Sequence, residues 1–314
     1  MTTRCAVIGH PIEHSKSPDM HTAAYKALGL DFTYEKMDVE PRGLKEWMAQ
    51  EAPKLRGFNV TVPHKVRMLK FAHAKDPLVD KVGAANTMIN QDGQLFAYNT
   101  DVEGFLKALK QDLQFDPCDK HVLVIGAGGA ARAVCVALFE SGVKKLSMTN
   151  RTLVYAKDMQ EELTPFYPLQ MEVYVLNSIN LLGAIEEADL IVQTTPVGMT
   201  PNVGESPLDN FVTVHAGHKV MDLIYSPKET EFMRRCRERG AQVANGLSML
   251  VYQGVAAFEK MTGRTVDPQV FRDAVDLGAP LPPEAWARQN RIPLQDLAGD
   301  PHANDPLSFT GKRG

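Results

Sequence analysis

Three polar clusters stand where apolar, strand-like runs end, and their side chains suit a polyhydroxylated, anionic small molecule. The first, Gly9-His-Pro-Ile-Glu-His-Ser-Lys-Ser-Pro18, sets two hydroxyls, Ser15 and Ser17, between a strand and a helix N-terminus. In the second, Asn59-Val-Thr-Val-Pro-His-Lys65, alternation puts Asn59 and Thr61 on one side of a strand, and Lys65 follows the proline turn. The third, Gly83-Ala-Ala-Asn-Thr87, is answered later by Asn99-Thr-Asp101. Hydroxyls, amides, a lysine and an aspartate can bond an anionic group and hydroxyls. Taken singly, Lys65 is an ordinary solvated lysine, and Asp101 is a helix N-cap ahead of the helical run Val102 to Leu109.

A second chemistry lies in His121-Val-Leu-Val-Ile-Gly-Ala-Gly-Gly-Ala-Ala-Arg-Ala133. A buried parallel strand, Val122 to Ile125, breaks into a turn at Gly126, Gly128 and Gly129. A helix of small residues, Ala130 to Ala137, follows. Strand, glycine turn and helix in that order suit a dinucleotide pyrophosphate: the backbone can approach the phosphates, and the helix start offers unpaired N–H groups. The next strand, Lys145 to Asn150, runs into Asn150-Arg-Thr152 where an acidic residue would bond the ribose hydroxyls of NAD. Arg151 can instead fork onto a 2′-phosphate, which predicts NADP.

The elements that must position these residues follow an alternating rhythm. Strands are expected at Cys5 to Ile8, Phe32 to Val39 and Phe58 to Val62, and helices at Pro18 to Leu28 and Leu44 to Ala49. Thr87 to Tyr98 reads as a hairpin turning at Asp92-Gly93. After the polar link 114–120 come further strands at Leu190 to Thr195, Val220 to Ile224 and Gln242 to Ala244. This is the pattern of a doubly wound parallel sheet. Ser248 to Met261 reads as an apolar helix, and residues 279–314 as a loose polar tail.

With 314 residues the chain has room for two domains. Its net charge of −4 gives no reason to expect nucleic acid or an anionic membrane as partner. No apolar run approaches a membrane span and no signal peptide is read at the N-terminus, so a cytoplasmic protein is expected. Cys5, Cys118, Cys135 and Cys236 lie far apart and read as reduced, mostly buried thiols. His10, His14 and His21 hint at a metal cluster, but Pro11 and Pro18 prevent one helix from presenting them together. No metal site is expected.

At this point the chain closely resembles the shikimate dehydrogenase family. The motifs are VIGHPIEHSKSP, NVTVPHK, GAANT, NTD, GAGGAARA, NRT, TTPVGM, DLIY followed by a proline, and GLSMLVYQ, in the family's order from about residue 6 to 253. The resemblance implies an NADP-dependent, reversible reduction of 3-dehydroshikimate to shikimate, towards chorismate and the aromatic amino acids. It implies an α/β catalytic domain from residues 1–101 plus about 247–278, and a Rossmann doubly wound NADP-binding domain from 102–246. Carried over by position, Ser15 and Ser17 would hold the substrate carboxylate with Thr61 and Tyr225. Lys65, Asn86, Asp101 and Gln253 would meet the ring hydroxyls, and Lys65 and Asp101 occupy the places of the catalytic pair. Gly126, Gly128, Gly129 and Ala130 would cradle the pyrophosphate; Asn150, Arg151 and Thr152 would hold the 2′-phosphate; Gly246 and Met249 would lie near the nicotinamide. The expected partner is a small molecule, with a homodimer as the assembly left open.

Departures from the family pattern are few: Thr22 after His21, Gln193 before TTPVGM, and Val154-Tyr155 where many relatives carry a second basic residue. Two rivals remain. A quinate/shikimate dehydrogenase using NAD tends to carry an acidic residue near the ribose and a threonine for the second serine, against which stand Arg151 and Ser17. A non-catalytic metabolite sensor should have lost Lys65 or Asp101, and both are present.

Overall fold

A computed structural model describes residues 2–167 and 171–276; the tail expected beyond 279 lies outside the described residues. The chain forms two compact units. One is built on residues up to Asn99 with Ala257–Val266, the other on Thr100–Ala256 with Asp267–Arg272, and the described residues from Asp273 count with the first.

The first unit carries a six-stranded mixed sheet. Its strands are β1 (Thr3–Gly9), β2 (Phe32–Asp38), β3 (Gly57–Val60), β4 (Ala74–Lys75), β5 (Thr87–Gln91) and β6 (Gln94–Tyr98), in the order β2-β1-β3-β5-β6-β4. β1 is parallel to both neighbours, whereas β3, β5 and β6 pair antiparallel. The β5–β6 hairpin turns at Asp92 and Gly93, both with positive φ (53° and 84°). That conformation favours Asp-Gly and matches the strand twist, as the sequence predicts. Helices α1 (Ser17–Ala27), α2 (Leu44–Gln50) and α3 (Pro77–Val82) accompany the sheet. One face of it buries Ile8, Met48, Leu55, Phe58, Met68 and Met88. Each such side chain taken out of water contributes about 1.5–3 kcal/mol. The third strand stops at Val60, short of the expected Val62, because the chain turns there into Val62-Pro63. The Thr61 N–H still bonds the Ile8 carbonyl at 2.9 Å.

The second unit opens with α4 (Asp101–Leu113), whose buried Val102, Phe105, Ala108, Leu109 and Leu113 recur at helical spacing. Thr100 takes the N-cap position, not Asp101: the Thr100 carbonyl accepts the first helical bond, from Gly104 N–H at 3.0 Å. Asp101 is the first helical residue, where a carboxylate complements the helix dipole. Six parallel strands follow: β7 (His121–Ile125), β8 (Lys145–Asn150), β9 (Met171–Val175), β10 (Leu190–Gln193), β11 (Lys219–Asp222) and β12 (Gln242–Ala244). Their order is β12-β11-β10-β7-β8-β9, a doubly wound sheet that reverses direction between β7 and β10. β7 is buried throughout, as a strand covered on both faces must be. The unit's helices are α5 (Gly129–Glu140), α6 (Leu153–Leu163), α7 (Ile179–Glu187) and α8 (Glu231–Glu238), with α9 (Leu247–Thr262) up to Ala256 and α10 (Pro268–Asp276) up to Arg272. One core layer joins Leu123, Ile125, Ile185, Ile191, Phe211 and Phe232. Among the described residues, no helix is long and apolar enough to cross a membrane.

Candidate active site

Within the first unit, the three polar clusters meet at the ends of β1, β3 and β5. β1 and β3 are parallel neighbours, so their C-terminal ends lie at one edge, while β5 runs antiparallel and starts there. The loop after β1 is tied to the end of β3 by the His10 N–H on the Val62 carbonyl at 3.0 Å. It enters α1 through a turn in which the Ser17 N–H donates to Ser15 Oγ at 3.3 Å. The turn bearing the half-buried Lys65 is held twice. The Lys65 carbonyl accepts the Ala85 N–H at 3.0 Å, and the His64 Nε2–H donates to the Val39 carbonyl at 2.6 Å. His64 is buried and its pKa is lowered by desolvation, so the ring is a neutral anchor. Asn86 is buried, with its backbone N–H on the Tyr98 carbonyl and its carbonyl taken by the Val60 N–H at 2.8 Å. Asn99 reaches back to the Ala84 carbonyl at 3.0 Å. Ser15, Ser17, Thr61, Lys65 and Asn86 are thus brought to one edge of the sheet.

In the second unit, Asp101 and Gln253 are positioned by close packing of α4 on α9. A Cβ at Gly104 would stand 2.8 Å from both Cβ and N of Gln253 and 3.0 Å from the Met249 carbonyl. Only a glycine admits that approach, one turn after the buried Asp101. Tyr225 sits on the loop after β11, shaped by the fully buried Asp222: its carboxylate accepts the Ile224 N–H at 3.0 Å and the Thr230 hydroxyl at 2.7 Å. Desolvation pushes the Asp222 carboxyl up to about 7. Burial likewise raises the Tyr225 phenol, which keeps it a neutral donor. Gly246 lies under the same loop, its N–H on the Ile224 carbonyl at 3.0 Å, and Met249 is buried on the first turn of α9.

The glycine turn sits at the C-terminal edge of the parallel sheet. Gly126 has φ +112°, and a Cβ there would overlap the Thr194 hydroxyl, so no other residue fits. Gly128 and Gly129 are different: the space where a side chain would begin holds no atom within 4 Å. That open cradle at the start of α5 is what a pyrophosphate needs, and the residues fit a dinucleotide. Beside it, Ile125 pairs with Thr149, and Asn150, Arg151 and Thr152 follow. Asn150 Nδ2 donates to the Thr152 carbonyl at 2.8 Å, while Arg151 and Thr152 are exposed. Gln193 is buried at the end of β10, donating to the Thr195 and Val197 carbonyls and accepting the Thr195 N–H. It therefore folds the Thr-Thr-Pro-Val-Gly loop that also seats Gly126.

Sequence reasoning missed three contributors: Asp222, the Gln193 brace, and the buried pair Tyr34 and Thr87 on either side of Asn59. For Asp222 and Gln193 the signal was a polar residue set in or at the end of an apolar run; Tyr34, in the mixed strand Phe32–Asp38, carries none.

Family models match three stretches: a shikimate dehydrogenase substrate binding domain over residues 7–88, a shikimate/quinate 5-dehydrogenase model over 108–221, and a shikimate 5′-dehydrogenase C-terminal domain over 246–275. The chain is 42% identical over 276 residues to a shikimate dehydrogenase (NADP(+)) of Desulforamulus reducens, covering 87% of this chain and 94% of that protein. Its fold is similar to shikimate 5-dehydrogenase from Listeria monocytogenes, solved in complex with shikimate and NAD (TM-score 0.82, 33% identity, 87% and 96% of the two chains). It is also similar to that from Thermus thermophilus, solved with NADP(H) and shikimate (TM-score 0.78, 36% identity, 87% and 98%).

Proposed function

The chain belongs to the shikimate dehydrogenase family, and from that membership we propose that it interconverts 3-dehydroshikimate and shikimate with NADP(H), a step of aromatic biosynthesis. It is an oxidoreductase acting on a CH–OH group. The observation that carries the substrate side is the bond between the Ala85 N–H and the Lys65 carbonyl. It joins Lys65, at the end of the second cluster, to the segment that presents Asn86.

Roles follow residue by residue. Ser15 and Ser17, with Thr61 and Tyr225, hold the carboxylate through hydroxyl donors. Asn86, Asp101 and Gln253 bond the ring hydroxyls. The bound cofactor supplies a hydride to the carbonyl carbon. Lys65 stabilises the negative charge that grows on the carbonyl oxygen and gives that oxygen its proton; in the oxidation of shikimate it takes the hydroxyl proton back. Asp101 accepts from the adjacent hydroxyl and keeps it oriented. Gly126, Gly128, Gly129 and Ala130 hold the pyrophosphate, and Asn150, Arg151 and Thr152 the 2′-phosphate. Gly246 and Met249 border the nicotinamide. The acidic net charge and the unpaired thiols support a cytoplasmic enzyme of small molecules rather than a nucleic-acid binder.

The test is the near-ultraviolet absorbance of the reduced nicotinamide, followed with shikimate or quinate and with NADP or NAD. Reduction with shikimate and NADP well ahead of the other pairings is the expected outcome. Equal rates with quinate or NAD would replace this reading with the dual-substrate one, and shikimate binding without turnover in any pairing would favour the sensor.

A further inference from the structure

Tyr34 on β2 has no assigned role above, but it lies inside a buried chain of hydrogen bonds that crosses the first sheet. Its hydroxyl donates to Asn59 Oδ1 at 2.6 Å. Asn59 Nδ2 donates to Thr87 Oγ1 at 3.0 Å and to the Asn86 carbonyl at 3.2 Å. Thr87 Oγ1 then donates to Asn86 Oδ1 at 3.1 Å. β1 lies between β2 and β3, so the Tyr34 side chain spans a whole strand to reach Asn59, while Asn59 and Thr87 are direct register partners.

The direction of each bond is forced. A backbone carbonyl can only accept, so the Asn86 carbonyl fixes which end of the Asn59 amide faces it. Asn59 Oδ1 must then face Tyr34, and Tyr34 must donate. Burial keeps its phenol protonated for that purpose. Reversing any link would leave a buried polar atom unmatched, at about 1–3 kcal/mol. The Tyr34 ring is also stacked on His21, one helical turn beyond Ser17, at 4.2 Å and 14°. The ring therefore registers the start of α1 against the sheet, and the hydroxyl ties that ring to Asn59.

We infer that Tyr34 is a positioning residue for the substrate site: stacked on His21 and bonded to Asn59, it fixes the start of α1, which bears Ser17, relative to Asn86. The inference rests on the substrate roles given to Ser17 and Asn86 under the proposed function. Those residues address opposite ends of the substrate, so their relative placement sets the affinity for shikimate and leaves the cofactor site untouched.

Tyr34→Phe keeps the ring and its stack and deletes only the hydroxyl. The expected result is a KM for shikimate raised about 10-fold, with kcat at saturation falling by less and the KM for NADP within about 2-fold. Thr87→Val should act in the same direction, and Thr87→Ser, which restores the hydroxyl, should return the KM to near the parent value. Adding Ser17→Ala to Tyr34→Phe should cost less than the two changes apart. A shikimate KM within about 2-fold of the parent in Tyr34→Phe overturns the inference. So does a parallel rise in the NADP KM, which would mark a general loss of folding. A parent protein that oxidises no shikimate overturns the functional reading, and this inference with it.

Discussion

The Gly126 N–H donates to the Thr149 carbonyl at 2.8 Å. This bond extends the β7–β8 pairing one residue past Ile125 and fastens the glycine turn to the strand that delivers Arg151 two residues later. On the roles proposed for these residues, backbone pairing within one sheet would set the places of the pyrophosphate and the 2′-phosphate, and the exposed Arg151 guanidinium would choose between NADP and NAD.

Replacing that guanidinium by Arg151→Asp should raise the KM for NADP about 10–100-fold, the loss expected for a charge-assisted, forked contact. The KM for NAD should fall or hold. Steady-state kinetics with both cofactors reads the outcome, and an unchanged NADP KM would remove Arg151 from the phosphate site.

Lys65→Ala should lower kcat by about 10²–10⁴-fold, the range for a lost proton donor. Fluorescence titration should find NADP affinity within about 2-fold of the parent. Equal loss in both measurements would contradict the role given to Lys65.

Gly104→Ala pushes a methyl group into the Gln253 backbone, where no flexible side chain can yield. A destabilisation of about 1–3 kcal/mol is expected, with a raised KM for shikimate because Asp101 and Gln253 lie on the separated helices. Thermal unfolding measured beside the kinetics would refute the close-packing argument if neither quantity moved.

Asp222 carries a stability effect whose sign follows from its burial. Its carboxyl binds a proton more tightly in the fold, at about 7, than at the ordinary 3.8. The associated stability is present in full below the lower value and is lost as the pH rises through the higher one. Asp222→Asn cannot titrate. The melting temperature of the variant minus that of the parent should therefore rise by a few degrees, roughly 2–4 °C per kcal/mol, between about pH 5 and pH 8. A constant difference across that range would show that Asp222 stays ionised throughout.

Much of the fold can be read from the sequence where local chemistry and tertiary environment agree. Val122 to Ile125 is apolar because β7 is covered on both faces, and Asp92-Gly93 turns because both residues adopt positive φ. The segment from Leu153 to Glu187 is less legible. Its edge strand β9 is mostly half-buried and has no run of fully buried residues to mark it. Thr100 and Asp101 are both capping types, and only the backbone geometry assigns the cap to the first. The motif residues around Ser15, Lys65 and Asn86 are legible because each polar cluster directly follows or precedes an apolar run. The chain from Tyr34 to Asn59 to Thr87 is not, since nothing in the spacing says that β1 lies between the first two or that the last two stand opposite each other.

The first unit is completed by residues that come late in the chain. Phe258 packs at 5.5 Å from Tyr25 and 6.0 Å from His21, and the Met261 carbonyl takes the Arg56 guanidinium at 3.2 Å. On the ribosome, the segment up to Asn99 must therefore wait with part of its core uncovered while residues 100–256 emerge. During that wait nearly all of the second unit becomes available to fold. A chain stopped after Ala256 is expected to bind a hydrophobic dye that the full chain excludes. The part made first is finished last, and a nascent chain that stalls before Phe258 is exposed to aggregation through its earliest residues.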